Sequence, residues 1–246
     1  MVDRAFSDES LARWYDLLNP WRPCDDFYLG LLMSAESVLD VGCGTGTLLH
    51  RAREAGHTGR LCGLDPAEAM LGRARGRTDI EWILGDLASA GPRGQFDLVV
   101  MTGHAFQVFV EDDVVRASLA AIHGALVDGG RFAFETRNPL VRAWEAWTPD
   151  NAVEVTDAEG TVVRVRHEVE KPVSGDVVRF TESFTSPGWE RPRVSRTALR
   201  FLDARSLSRF LAGAGLGIEE QYGDWERGPL NDTSPEIITI ARKGRG

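Results

Sequence analysis

Val38-Leu39-Asp40-Val41-Gly42-Cys43-Gly44-Thr45-Gly46 is the stretch that decides the fold. A short apolar run carrying an acidic residue leads into three glycines at alternate positions, and a helical pattern follows. Glycine has no Cβ, so the chain turns sharply there and a ligand can press on bare backbone. A parallel strand that runs through such a turn into a helix builds a nucleotide-type pocket at its carboxyl end. One glycine would suffice for the turn alone. The spacing is G-x-G-x-G and not the dinucleotide pattern G-x-G-x-x-G, because Thr47 stands where the third glycine of that pattern would be.

The rest of the chain fits this start. Its 246 residues suit one large domain, or one domain with a substantial insertion. With 43% hydrophobic and 26% charged residues the composition is that of an ordinary globular protein. A net charge of −9 argues against nucleic acid or an anionic membrane surface as partner. No apolar run is long enough for a membrane span, and residues 1–10 do not read as a signal peptide. Cys24, Cys43 and Cys62 are odd in number and widely spaced, which suits a reduced, cytoplasmic chain. The five histidines lack ligand spacing, so no structural metal is expected.

Leu11, Trp14, Tyr15 and Leu18 have the spacing of an amphipathic helix, stopped at Asn19-Pro20, and a second helix covers Asp25 to Met33. Strands at Val38–Val41, Leu61–Asp65, Ile80–Leu84, Phe96–Thr102 and Arg131–Thr136 then alternate with helical segments. Pro66 suits the first position of the second of these helices, which buries Met70, Leu71 and Ala74. Val115, Leu119, Ile122 and Leu126 mark a later helix that ends at Gly129-Gly130. This alternation predicts an α/β, doubly wound, mostly parallel sheet.

After Asn138-Pro139 the pattern changes. Val153–Val155, Val162–Val169, Val177–Phe184 and Val194–Phe201 read as antiparallel hairpins, with turns at Glu159-Gly160 and Ser174-Gly175. A helix capped by Asp203 and strands at Leu216–Tyr222 and Glu236–Ala241 close the chain. The expected division is a core of residues 1–138 and 203–246 with a β-rich insertion at 139–202.

The acidic-x-G-x-G-x-G run at Asp40–Gly46 resembles the first motif of the class I S-adenosylmethionine-dependent methyltransferases. The resemblance implies a Rossmann-like seven-stranded sheet whose last strand is antiparallel, with the hairpin block as a lid. It implies S-adenosylmethionine as cofactor. Asp65 at the end of the second strand would hold the ribose diol, Asp86 the adenine amino group, and the Leu87 backbone the ring edge. Gly42, Cys43, Gly44 and Gly46 would admit the amino-acid part, with Asp40 near its ammonium and Tyr15 closing over the methionine end. Pro66, Met70, Met101 and Thr102 complete the expected cofactor contacts. Other readings stand beside these: Asp65 as a helix cap, Asp86 as a turn residue, Tyr15 as plain core. Asp97 begins its strand and belongs at the opposite edge.

On the acceptor side, His104 just past the fourth strand is the candidate base or orienting group, with Gln107 on the same lip. Glu135 ends the fifth strand and could meet an amine or hydroxyl, or pair with Arg137. His167 reads as solvent-facing. Trp144, Trp147, Trp189 and Trp225 suit either an apolar acceptor or packing, and the arginines from Arg191 to Arg209 either local ion pairs or an anionic substrate group. The reading is methyl transfer to a small-molecule acceptor by a monomer or homodimer, similar in layout to amino-sugar N-methyltransferases. The alternatives are an inactive binding relative and a nicotinamide-dependent oxidoreductase.

Overall fold

The structure is a computed structural model that describes residues 2–87, 94–173 and 175–244. Four helices come first: α1 (Arg4–Ser7), α2 (Glu9–Ala12), α3 (Tyr15–Leu18) and α4 (Pro23–Met33). Then β1 (Ser37–Val41), α5 (Thr47–Glu54), β2 (Arg60–Asp65), α6 (Glu68–Ala74), β3 (Glu81–Leu84), β4 (Phe96–Met101), α7 (Asp112–Ala125) and β5 (Leu126–Arg137) follow in order. The hairpins are β6 (Val153–Thr156), β7 (Val162–Val169), β8 (Val177–Thr185) and β9 (Arg193–Arg200). Helix α8 (Ala204–Gly213) leads to β10 (Leu216–Tyr222) and β11 (Glu236–Lys243).

The main sheet has seven strands in the order β10-β11-β5-β4-β1-β2-β3, with β11 antiparallel to both neighbours. This is the expected doubly wound sheet. One face packs Leu39, Val99, Phe132 and Phe134 against Leu119 and Ile122 of α7 and Leu207 and Leu211 of α8. The other packs Val38, Leu98, Val100 and Ala133 against Tyr28 and Leu32 of α4 and Leu49 of α5. Strands buried on both faces read as continuous apolar runs, which is why β1 and β4 were plain in the sequence. The hairpins form a separate four-stranded antiparallel sheet in the order β6-β7-β8-β9. Ser174, half of one expected turn, lies outside the described residues.

Three local expectations are corrected. The first amphipathic helix is two single turns, α2 and α3, because its residues serve different partners. Leu11 and Trp14 pack on Val163, Val165 and Phe184 of the second sheet, whereas Tyr15 turns toward Met70. Pro66 precedes the helix start, because Asp65 Oδ1 accepts from Ala67 N at 2.8 Å and forms a turn before α6 begins at Glu68. Gly129-Gly130 does not end α7, which stops at Ala125. The β4–β5 register jumps from Phe96↔Leu126 to Leu98↔Arg131, and the two glycines lie in that irregularity. A Cβ at Gly130 would stand 3.0 Å from Val127 O and 3.1 Å from Phe96 O.

The amino-terminal segment is bound to the second sheet. Ala5 N donates to Ser195 Oγ at 3.0 Å, and Thr197 Oγ1 donates to Asp3 Oδ2 at 2.7 Å. The same segment contacts α6, so α1 and α2 bridge the two sheets.

Candidate functional site

The carboxyl ends of the parallel strands form one edge, where ligands bind in open α/β sheets. At the end of β1, Gly42, Gly44 and Gly46 all have positive φ, at 75°, 56° and 75°. A Cβ on Gly44 would lie 3.2 Å from Met70 Cε and 3.9 Å from Tyr15 Cε1, so the loop is a bare-backbone cradle roofed by those two side chains. Tyr15 also reaches the end of β4, its hydroxyl 3.7 Å from where Gly103 would carry a Cβ. Helix α3 is fixed there by Thr45 Oγ1, which donates to Asp16 Oδ1 at 2.5 Å. Burial and the neighbouring Asp16 charge push the Tyr15 phenol up to about 12.

Two carboxylates flank the cradle. Asp65 Oδ2 accepts from Gly44 N at 2.9 Å, and its Oδ1 holds Ala67 N, so this one side chain fixes the loop and the turn before α6 together. Each of its oxygens keeps a second lone pair for a hydroxyl. Burial raises its pKa, opposed by the two backbone N–H groups. Asp40 is 1% exposed, and its Oδ1 is buried without a hydrogen-bond partner. Burial, with the charges of Asp65 and Glu135, pushes its carboxyl up to about 8. A buried carboxylate oxygen left unpaired is costly unless a cation or donor reaches it.

The ends of β4, β5 and β11 carry a different group. Gly103 and His104 both adopt the left-handed conformation, with φ 63° at each. His104 N donates to Glu135 Oε1 at 2.7 Å, and Tyr28 Oη donates to Glu135 Oε2. Burial raises the Glu135 pKa, while His104 and the Tyr28 hydrogen bond oppose the rise. The His104 ring meets Glu236 of β11, with Nε2 3.0 Å from Oε2. With Nε2–H donating to that carboxylate, the neutral ring presents its lone pair at Nδ1. Arg137, directly opposite Glu236 in the β5–β11 pairing, places Nη1 3.0 Å from Gln107 Oε1, and Gln107 Nε2 donates to Arg200 O at 2.9 Å.

The structure therefore brings together Tyr15, Asp40, Gly42, Gly44, Asp65 and Met70, with Thr102 and His104 at the end of the neighbouring strand. Gly85 N donates to Asp65 O at 3.0 Å, which sets exposed Asp86 on the same rim. Several other expected residues also pack within the protein. Gly46 is packed by Trp82, whose ring would lie 2.4 Å from a Cβ there. The Cys43 side chain turns in against Gly63 of β2. The Met101 and Leu87 side chains are buried in the core, which leaves their backbones for the edge, as expected for Leu87. Pro66 is exposed beside Asp65. Glu135 accepts from Tyr28 and from the His104 backbone, one bond at each oxygen, and among the described residues it makes no ion pair with Arg137.

Asp97 lies at the opposite edge as expected, accepting from Ser37 N at 2.9 Å. His167 is not solvent-facing but half-buried in β7, with Nε2 3.2 Å from Glu182 of β8. Trp144 and Trp147 pack with Phe180 and Phe201, Trp189 against the cluster that holds Trp14 and Phe184, and Trp225 beside Tyr28. Of the arginine run, Arg200 pairs with Asp176 and Asp112. Sequence reasoning missed Glu236 and Asp16. Glu236 stands 132 residues from His104 and has no motif. Asp16 does follow Tyr15 directly, and that adjacency was the available signal.

Residues 38–130 match a family described as a methyltransferase domain. Over 139 residues it is 34% identical to a 2-phytyl-1,4-naphtoquinone methyltransferase of Thermosynechococcus vestitus, covering 51% of this chain and 60% of that protein. It is 26% identical over 231 residues to trans-aconitate 2-methyltransferase of Escherichia coli, covering 86% and 88%. The chain spans about 60% of the length of the first of these relatives. The fold resembles that of an amino pentose methyltransferase from Micromonospora echinaspora, with a TM-score of 0.67 at 22% identity over 91% of this chain and 92% of the other. Among the described residues no helix is long and apolar enough to cross a membrane.

Proposed function

We propose that this protein transfers the methyl group of S-adenosylmethionine to a small-molecule acceptor. The observation that carries the reading is the unpartnered Asp40 Oδ1, buried at the carboxyl edge of the sheet that also bears the bare glycine cradle. That combination fits a ligand with positive charge and a compact amino-acid end. Asp40, Gly42 and Gly44 would hold that end under Tyr15 and Met70, while Asp65 would accept hydroxyls and Asp86 with the Leu87 backbone would meet the base. S-adenosylmethionine, when bound, supplies an electrophilic methyl on a sulfonium.

The protein's task is then to hold the acceptor in line and to take its proton where it arrives protonated. Such positioning contributes roughly 7–11 kcal/mol. His104 sits past the end of β4 with Nε2 on Glu236, which leaves Nδ1 to receive a proton. Glu135 is a positioning residue. It holds the His104 backbone in its left-handed conformation through a hydrogen bond. Residues 139–202 serve as the acceptor-side cover, a role supported by Trp147, which stacks on Arg137 at 5.2 Å. Three free cysteines and the net charge of −9 favour a cytoplasmic enzyme with no nucleic-acid partner.

Calorimetry with S-adenosylhomocysteine, followed by a labelled-methyl screen of amines, phenols and acids, tests the reading. Binding and transfer to at least one class are expected. Absence of binding overturns it.

A further inference from the structure

Arg137 is the guanidinium with the least obvious use in the fold. It ends β5, is half-buried, and burial lowers its pKa. Arginines in such places are ordinarily matched by a carboxylate, because a desolvated charge is expensive alone. Here the planar group lies over Trp147 with its carbon 5.2 Å from the ring centroid, and Nη1 donates to the Gln107 amide oxygen. Among the described residues, no carboxylate oxygen lies within ion-pair distance of it. Glu236 and Glu135 influence it only from further off, and both are committed elsewhere, to His104 and to Tyr28. Arg22 adds a second positive charge in the vicinity. Nε and Nη2 thus form an unused donor pair in the fork geometry that matches an oxyanion.

The position of that fork is informative. Arg137 and Glu236 are cross-strand partners, so their side chains leave the same face of the sheet, and Glu236 holds the His104 ring there. Gln107, which orients the guanidinium, is itself tied to Arg200 O at the end of β9. The donor pair therefore lies between the acceptor-side histidine and the second sheet.

We propose that Arg137 binds an oxyanion of the acceptor, so that the substrate is a carboxylate or a phosphate ester anchored apart from its methylated atom. Trp147 then offers an apolar surface beside the anchor, and Gln107 is a positioning residue for the fork. The proposal rests on the methyltransferase reading for its site but not for its measurement.

The protein loaded with S-adenosylhomocysteine is titrated with benzoate, phenyl phosphate and their neutral analogues benzamide and phenol. Charge-assisted hydrogen bonds imply that at least one anion binds about tenfold or more tighter than its neutral analogue. Which anion gains more separates a carboxylate from a phosphate. Arg137→Gln is expected to abolish the preference, and Arg137→Lys to keep part of it, with thioether affinity unchanged in both. Should Arg137→Gln fail to fold, Arg137→Lys carries the comparison. Anions binding no tighter than neutral probes, no probe binding at all, a preference that survives in Arg137→Gln, or one undiminished in Arg137→Lys overturns the proposal. Failure of the methyltransferase reading shows separately, as no thioether binding. The same titrations on the unloaded protein then decide the anion question.

Discussion

The two halves of the carboxyl edge are built from different materials. At the ends of β1 and β2 the site is backbone: three glycines in left-handed conformations, and one aspartate that fixes two loops through their N–H groups. At the ends of β4, β5 and β11 it is side chains, in a chain of contacts from Tyr28 through Glu135 and His104 to Glu236. Backbone sites suit a constant ligand, because their geometry depends on a few residues adjacent in sequence. Side-chain sites assembled across the sheet can change acceptor by single substitutions without disturbing the cradle.

The sharpest way to break this division is at Gly44. Its φ of 56° and the 3.2 Å approach of Met70 Cε leave no room for a branched side chain. Gly44→Val is expected to reduce S-adenosylhomocysteine affinity by about 100-fold or more, from roughly 3 kcal/mol of strain and lost contact. A calorimetric titration checks it, and retained affinity would mean that the ligand does not use the cradle. Next in size is Glu236→Ala. Losing the carboxylate that orients a general base is expected to lower turnover by about 10²-fold. Thioether affinity should stay within about twofold, because no cradle atom is touched. If affinity and turnover fell together, the two halves would not be separable.

The division also describes what the sequence made legible. The cradle, Asp65 and the parallel strands are local, so their residue types and spacing suffice. Glu236 was invisible because its contact depends on β11 inserting antiparallel beside β5, a choice made by the whole sheet. Glu135 was located correctly at a strand end but its partner was not, since Tyr28 arrives from α4 on another layer. Gly46 and Cys43 carry a packing role that the motif did not announce. They belong to the motif, and Trp82 packs against Gly46 while the Cys43 thiol packs against Gly63.

A smaller effect separates folding from catalysis on the acceptor side. Tyr28→Phe removes the donor to the buried Glu135 Oε2 and is expected to cost about 1–3 kcal/mol of stability. Denaturant unfolding reads it, with thioether affinity unchanged. Smallest is Asp203→Ala, which deletes the cap that accepts from Ser206 N at 2.6 Å. About 1 kcal/mol of stability should go, with neither half of the site affected.

Protonation of Asp40 tests the central claim most directly. Its carboxyl is raised to about 8 in the folded protein from 3.8. The folded state therefore holds an extra proton between those values, and stability falls as pH rises through that window. A cation bound beside it lowers that pKa and expels the proton. The measurement is calorimetry of S-adenosylmethionine binding at pH 7 in buffers of different ionisation enthalpy. The account predicts release of close to one proton in the wild type, and little or none in Asp40→Asn. Binding without proton release, or equal release in both proteins, would contradict it.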